Sequence, residues 1–169
     1  MRIGAALLFL GAFVHIGIIK SRELKRQIDH LSAAMNMLSA LYNGLSAKCD
    51  ALPVLFSALG ERSEGPEHEF FSELSREMDK LDGRSFSVIW QEAVKKVFSA
   101  MPGDELDRLS ELAGVLGCAD IEMQLQALRQ CRNAIAEVLS TKKTDYPEGR
   151  KLVLGLSFSA GAMAVILLI

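Results

Sequence analysis

The hydrophobic pattern divides the chain into two apolar ends and an amphipathic middle. Residues 152–169 contain no charged side chain and no amide, and residues 3–19 are apolar apart from His15. Eighteen helical residues at about 1.5 Å each span roughly 27 Å, close to the ~30 Å hydrocarbon core of a bilayer. The sequence therefore predicts one transmembrane helix in residues 1–19 and a second one in residues 152–169.

Each apolar end has an alternative interpretation. A buried core helix is the alternative for residues 152–169, and a secretory signal peptide is the alternative for residues 3–19. The basic pair Arg150-Lys151 directly before the last segment is typical of a membrane boundary. Only Arg2 adds a side-chain charge before the first segment, and no small-x-small cleavage motif closes it. The pattern favours two uncleaved anchors.

Basic residues near the two segments predict their orientation. Arg2 alone flanks them on the outer side, whereas eight Lys and Arg residues flank them on the inner side: Lys20, Arg22, Lys25, Arg26, Lys142, Lys143, Arg150 and Lys151. Positive charge concentrates in cytoplasmic loops. We therefore expect a protein of the cell membrane in which residues 20–151 form a cytoplasmic helical domain and both termini lie outside.

Between the anchors, apolar residues recur at helical spacing. The longest stripe has a 4-3-4-3 spacing and comprises Leu24, Ile28, Leu31, Met35, Leu38, Tyr42 and Leu45. Helices are predicted near residues 22–47, 52–60, 67–81, 86–97, 104–116 and from 121 onward, with Asp50, Ser85 and Asp120 as N-caps. Tyr146–Gly149 contains a proline and predicts a hinge. The predicted fold is all-α, a six-helix cytoplasmic bundle flanked by two transmembrane helices.

Charge excludes one class of function. Residues 20–151 carry 18 basic and 21 acidic side chains, a net charge of −3. Such a domain offers no basic surface for nucleic acid, so we expect no nucleic-acid partner. The three cysteines, Cys49, Cys118 and Cys131, show no C-x-x-C spacing, and reduced thiols are the expected state in the cytoplasm.

Motifs for catalysis and metal binding are missing from the sequence. There is no Walker A motif, and His15, His30 and His68 lie far apart. Cys49 follows Lys48 but has no identifiable base nearby. The sequence therefore predicts no catalytic residue, no cofactor and no metal.

Two single residues leave a choice. His15 within the first apolar segment is either functional or a neutral side chain reaching the interface. Trp90 is either a binding anchor or a core residue, and its helical spacing with Ala93 favours the core.

Four segments carry a resemblance to a known family: Ala51-Leu52-Pro53, Ile89–Ala93, Leu112–Asp120 with Gln124, and residues 149–169. They resemble the stage III sporulation protein AB family of endospore-forming bacteria, and the resemblance covers nearly the whole chain. Ala51-Leu52-Pro53 resembles the family's leucine-proline start of the second helix, and Ile89–Ala93 resembles its tryptophan-containing segment. Leu112–Asp120 with Gln124 is similar to its leucine-glycine, serine-aspartate and glutamine pattern, although Ala119 stands at the serine position. Residues 149–169 resemble the closing basic and apolar anchor.

The resemblance implies a role in the secretion-like channel complex between mother cell and forespore. The family's helical domain is similar to a cytoplasmic half of the platform protein of type II secretion and type IV pilus machines. The implied partners are the AA-type sporulation ATPase, other membrane subunits of the apparatus and the lipid bilayer, and homo-oligomerisation stays open. Asp120 and Gln124 are the candidate partner-binding residues.

Three functional hypotheses follow. The first is a non-enzymatic platform subunit that couples the cytoplasmic ATPase to membrane components. The alternative is a membrane-tethered helical adaptor of another secretion or pilus system. The third is an enzyme or a small transporter. A transporter would need polar groups at mid-membrane, and only His15 qualifies.

Overall fold

The computed structural model describes the backbone of residues 2–47, 52–80, 83–116 and 120–168, and the side chains of residues 19–47, 52–80, 83–116 and 120–145. Within these ranges every regular element is a helix, and no strand is present. The elements are α1 (Arg2–Ala47), α2 (Leu52–Arg62), α3 (Gly65–Asp79), α4 (Phe86–Val97), α5 (Gly103–Glu111), a 3₁₀ turn (Leu112–Gly114) and α6 (Ile121–Leu168). The prediction of an all-α fold is confirmed.

Local chemistry explains several of the helix ends. The Ser85 hydroxyl accepts a hydrogen bond from the Val88 N–H at 3.4 Å, and Asp120 Oδ1 accepts one from the Glu122 N–H at 2.9 Å. Both predicted N-caps are confirmed. Gly83, beyond the end of α3, has a φ of 79°, a conformation that glycine adopts readily. The third predicted cap, Asp50, lies outside the described residues.

Two predictions are wrong: the end of the fifth helix and a hinge in the sixth. The fifth helix was expected to reach residue 116 but ends at Glu111, where the Leu112 carbonyl accepts hydrogen bonds from the N–H groups of both Val115 and Leu116. Gly114 in this turn is a poor helix former, which favours the tighter 3₁₀ geometry. The hinge expected at Tyr146–Gly149 is also wrong, because α6 is helical throughout these residues. Pro147 removes a single backbone donor from a 48-residue helix.

The chain packs as two compact units. One contains residues 1–28 and 140–169, and the other contains residues 29–139. In the first unit, Lys142 Nζ donates a hydrogen bond of 2.9 Å to Gln27 Oε1 and so joins α1 to α6. This packing division does not test the predicted boundaries at residues 19/20 and 151/152.

Among the residues whose side chains are described, no helix is both long and apolar enough to cross a membrane. The predicted anchors are residues 1–19 and 152–169, and apart from Ile19 their side chains lie outside the described residues. The membrane segments therefore stay a prediction.

The core of the second unit is a cluster of aromatic rings from α2, α3 and α4. Trp90 is fully buried and meets Phe70 edge-to-face, with ring centroids 5.0 Å apart. Phe56, Phe71 and Phe98 are also fully buried in this cluster. Trp90 Nε1 donates a 2.8 Å hydrogen bond to the buried Leu109 carbonyl of α5. The expectation that Trp90 belongs to the core is confirmed.

Helix α1 contributes a wider buried face than its predicted stripe. Leu31, Leu38 and Leu45 are buried as expected, but Met35 and Tyr42 are only half-buried. The remaining buried positions are Ala33, Ala34, Met37 and Leu41. A broad apolar face is typical of a helix in a globular core, whereas a single 4-3 line is typical of a coiled-coil seam. Tyr42 is left at the edge of this face.

Candidate functional site

The predicted partner-binding residues lie on consecutive turns at the start of α6. Asp120 is exposed, and its carbonyl accepts a hydrogen bond of 3.2 Å from the Gln124 N–H. The Gln124 side chain is only 7% exposed. Gln124 occupies the position one turn before buried Leu128, so it faces the core side of α6. The two residues therefore lie one helical turn apart, but only Asp120 is exposed at the surface.

The outer surface of α3 and α4 carries a dense ionic cluster, which we call the carboxylate network. It comprises Glu73, Glu77, Arg76, Lys80, Arg84, Glu92 and Lys96. Lys96 Nζ lies 2.8 Å from Glu73 Oε1, and Lys80 Nζ lies 2.6 Å from Glu77 Oε1. Arg84 bridges Glu77 and Glu92. The network thus ties α3 to α4 and to the segment between them.

Glu77 is the best-satisfied carboxylate of this network. Its side chain is 12% exposed and receives hydrogen bonds from Lys80, Arg84 and Arg76. These bonds, the one from Lys80 foremost, lower the pKa of Glu77 from 4.5 to about 2. A carboxylate held in its ionised form by three cations is a structural group, because it is a poor acceptor for a proton in acid–base chemistry.

A second charged surface joins α1 to α6, and we call it the arginine–tyrosine cluster. It consists of Tyr42, Arg129 and Arg132. Arg129 Nη2 donates a 2.6 Å hydrogen bond to the Tyr42 hydroxyl. The guanidinium carbons of Arg129 and Arg132 lie 5.4 and 5.8 Å from the centroid of the Tyr42 ring, within the range of cation–π attraction. Neither arginine takes part in an ion pair of the described residues.

Sequence reasoning missed the arginine–tyrosine cluster. Arg129 and Tyr42 are 87 residues apart, and their contact depends on how α1 and α6 pack. A partial signal was present in the sequence, because Arg129 and Arg132 are the only charged residues between Glu122 and Glu137. Their i, i+3 spacing places both on one helix face. The spacing thus gives the helix face of the two arginines but not their contact with Tyr42.

The described histidines and cysteine have structural contacts. His68 Nδ1 donates a 2.8 Å hydrogen bond to the Gly60 carbonyl, and His30 packs edge-on against Phe98 at a centroid distance of 6.3 Å. Burial raises the pKa of the Cys131 thiol to about 12, so the thiol stays protonated. No group of three metal-ligating side chains occurs among the described residues. His15, Cys49 and Cys118 lie outside the described side chains.

An apolar groove of about 370 Å³ lies between α1 and α2. The two helices approach each other closely at Gly44, where a Cβ would clash with Leu55 Cδ1. Val54 at the groove is 60% exposed. Ala40, Ala47, Ala58, Leu59, Asn43 and Arg62 complete the lining. With one charged residue in its lining, the groove lacks the converging polar groups of a catalytic pocket.

Together these features define the class of the protein: an all-helical bundle protein whose described surface carries ionic clusters and a small apolar groove. The chain belongs to the stage III sporulation protein AB family, whose family model matches residues 2–169. The proposed resemblance is thereby confirmed over nearly the whole length.

A solved structure described as stage III sporulation protein AB has the same fold. The TM-score is 0.62 and the sequence identity is 16%, and the alignment covers 72% of this chain and 96% of that one. At this identity the match speaks for the fold alone. A comparison with curated proteins gave no match.

Proposed function

We propose that this chain is a non-enzymatic platform subunit of the sporulation channel complex between mother cell and forespore. In this role two membrane helices hold the helical domain at the mother-cell membrane that faces the forespore. The domain contacts the AA-type ATPase in the cytoplasm and passes the effect of that contact to the membrane subunits of the apparatus. The observation that carries the proposal is the family match over residues 2–169.

The arrangement of the first and last helices supports a membrane platform. Helix α1 begins at Arg2 and α6 ends at Leu168, so both apolar ends of the chain belong to helices that also contribute to the bundle core. A continuous helix transmits displacement better than a flexible linker does. The basic residues flanking the apolar ends support a cytoplasmic position for the domain.

The state of the ionisable groups supports a role without catalysis. Two carboxylates of α3, Glu73 and Glu77, are paired with cations, and the His68 ring is hydrogen-bonded to the backbone. General acid–base catalysis needs a group whose pKa lies near the working pH. The pKa of Glu77 is far below neutrality and that of Cys131 far above it.

Association with the ATPase is the direct test of the proposal. We expect the full chain, purified in nonionic detergent, to bind the AA-type ATPase of the same genome, and deletion of its gene to block spore formation. Absence of binding together with normal sporulation would contradict the proposal. If deletion impairs secretion or pili in vegetative cells and leaves sporulation normal, the adaptor of another system is the better description.

Thiol labelling tests the proposed orientation separately. With Cys49 and Cys118 in the cytoplasmic domain, a membrane-impermeant maleimide should leave them unmodified in intact cells. After permeabilisation at least one of them should react. The buried Cys131 serves as an internal control that stays unreactive in both states. Labelling of Cys49 or Cys118 in intact cells would reverse the orientation.

A further inference from the structure

The arginine–tyrosine cluster has the properties of a surface prepared for a negatively charged group. A guanidinium group carries five N–H donors in a planar fork that matches a carboxylate. Among the described residues, one hydrogen bond engages the donors of this cluster, from Arg129 Nη2 to the Tyr42 hydroxyl. Arg129 is exposed and Arg132 is half-exposed, so both side chains are accessible to solvent.

The surroundings of the cluster contain no compensating acid in the sequence. The helix positions three and four residues from Arg129 or Arg132 hold Leu125, Gln126, Leu128, Asn133, Ile135 and Ala136, besides the two arginines themselves. On α1, no charged residue occurs between Asp29 and Lys48. Opposite charges at i±3 and i±4 would stabilise each other, and the two arginines have no such acidic neighbour and no ion pair with a described residue, on a chain with a net charge of −2.

Stacking on Tyr42 fixes the two guanidinium groups before any partner arrives. A free arginine side chain loses rotamer freedom when it binds, and this loss weakens association. The contacts of 5.4 and 5.8 Å to the Tyr42 ring and the hydrogen bond to its hydroxyl restrict this freedom in the unbound protein. Two oriented guanidinium groups at i, i+3 present donors for two carboxylates one turn apart.

We propose that the arginine–tyrosine cluster is a docking surface for an acidic segment of a partner protein. Charge complementarity favours this occupant, since the cluster offers two preorganised guanidinium groups and no ion pair with a described carboxylate. The chemistry recognised is a pair of Asp or Glu side chains near each other on the partner. The proposal does not depend on which apparatus the chain serves.

The size of the patch argues against the other anionic partners. Nucleic-acid binding draws its affinity from many phosphate contacts, and two cations on an acidic chain supply few. Recognition of anionic lipid by protein surfaces uses clusters of about 4–8 Lys or Arg residues. A carboxylate pair needs two guanidinium groups, and that is what the cluster provides.

The test uses the full chain in nonionic detergent and a fluorescent polyglutamate peptide, with fluorescence anisotropy measured at low salt. The double variant Arg129→Glu/Arg132→Glu should bind the peptide at least roughly tenfold more weakly, because two attractive contacts become repulsive. Its matched control is Arg62→Glu/Lys95→Glu, which changes the net charge equally at two exposed positions outside every ion pair of the described residues. The control should stay within about twofold of the parent.

Two further measurements sharpen the result. Arg129→Glu/Arg132→Glu should gain affinity for a polylysine peptide, as expected for a local exchange of charge. Tyr42→Phe keeps the ring but removes the acceptor of the Arg129 hydrogen bond, so it should weaken polyglutamate binding by about twofold. Polyglutamine serves as the uncharged reference peptide and should not bind.

Three outcomes would overturn the proposal. In the first, the parent chain binds polyglutamate no better than polyglutamine. In the second, the two double variants lose polyglutamate binding equally, which would show a response to net charge alone. In the third, dioctanoyl phosphatidylglycerol or a short DNA duplex binds in a way that depends on the cluster while polyglutamate does not. Each outcome leaves ATPase association of the parent chain unaffected, so failure here is separable from failure of the platform role.

Discussion

On the surface of α3 and α4, Glu73 is bound by two cations and Glu77 by three, whereas on the surface of α1 and α6, Arg129 and Arg132 meet a tyrosine and no described carboxylate. The carboxylate network is complete within the chain. The arginine–tyrosine cluster is ordered but electrostatically unbalanced. Similar side chains thus serve internal stability in one region, and in the other they are available for binding.

The helices beneath the two surfaces differ as well. Under the carboxylate network lies the aromatic cluster around Trp90. The Trp90 ring packs against Phe70, and its N–H donates to the Leu109 carbonyl inside the protein. On α1 and α6 the aromatic residue is Tyr42, whose hydroxyl and ring face two cations at the surface. We therefore expect changes near α3 and α4 to alter stability, and changes at the arginine–tyrosine cluster to alter binding.

The largest expected effect comes from the core below the carboxylate network. Trp90→Ala should lower the free energy of unfolding by about 3–5 kcal/mol, because it leaves a cavity among fully buried rings. Trp90→Phe keeps most of the volume but leaves the Leu109 carbonyl without its donor, at a cost of about 1–2 kcal/mol. Thermal unfolding of the full chain in detergent, followed by circular dichroism, measures both. A loss for Trp90→Ala no larger than that for Trp90→Phe would contradict the assigned core.

A smaller effect is expected from acid titration of the carboxylate network. The pKa of Glu77 in the folded protein is about 2, below its ordinary value of 4.5. The stabilisation from this group is therefore fully present above pH 4.5 and is lost as the pH falls toward 2. Glu77→Gln should lower the melting temperature at neutral pH and flatten its decline between these two pH values.

The matched control for this titration is Glu69→Gln on the same helix. Glu69 is exposed and belongs to no ion pair of the described residues. Glu69→Gln should keep both the neutral-pH melting temperature and the acid dependence of the parent. Equal acid dependence in the parent and Glu77→Gln would show that the network does not hold this carboxylate ionised.

The smallest effect on stability is expected at the arginine–tyrosine cluster. Arg129→Ala/Arg132→Ala should change the free energy of unfolding by less than about 1 kcal/mol, because exposed cation–π contacts contribute little. The same variant should weaken polyglutamate binding. Thermal unfolding measured beside the binding experiment checks both expectations. A loss of stability comparable to that of Trp90→Ala would show that the arginine–tyrosine cluster stabilises the fold, contrary to the difference expected between the two regions.

Features that depend on residues close together in the sequence could be predicted from it. The caps Ser85 and Asp120 and the core position of Trp90 follow from local side-chain chemistry and helical spacing, and the structure confirms all three. The end of α5 was missed because a 3₁₀ turn replaces the last α-helical turn. Helix α6 continues through Pro147 because a single lost donor does not outweigh the helical segments on both sides.

The surface clusters depend on contacts between distant residues. Lys96 reaches Glu73 across 23 residues, and Arg129 reaches Tyr42 across 87. Helical spacing alone gives the face on which a side chain lies but does not give the helix that packs against it. The candidates Asp120 and Gln124 came from the family resemblance, and the burial of Gln124 became visible only with the packing of α6.

Membrane extraction is the most direct test of the platform role, since this role requires both ends of the chain to be anchored in the bilayer. Membranes from sporulating cells that express the full chain are washed with alkaline carbonate and centrifuged. We expect the protein to stay in the membrane pellet, as integral membrane proteins do, while a peripheral marker is released. Recovery of the protein in the supernatant together with that marker would contradict it.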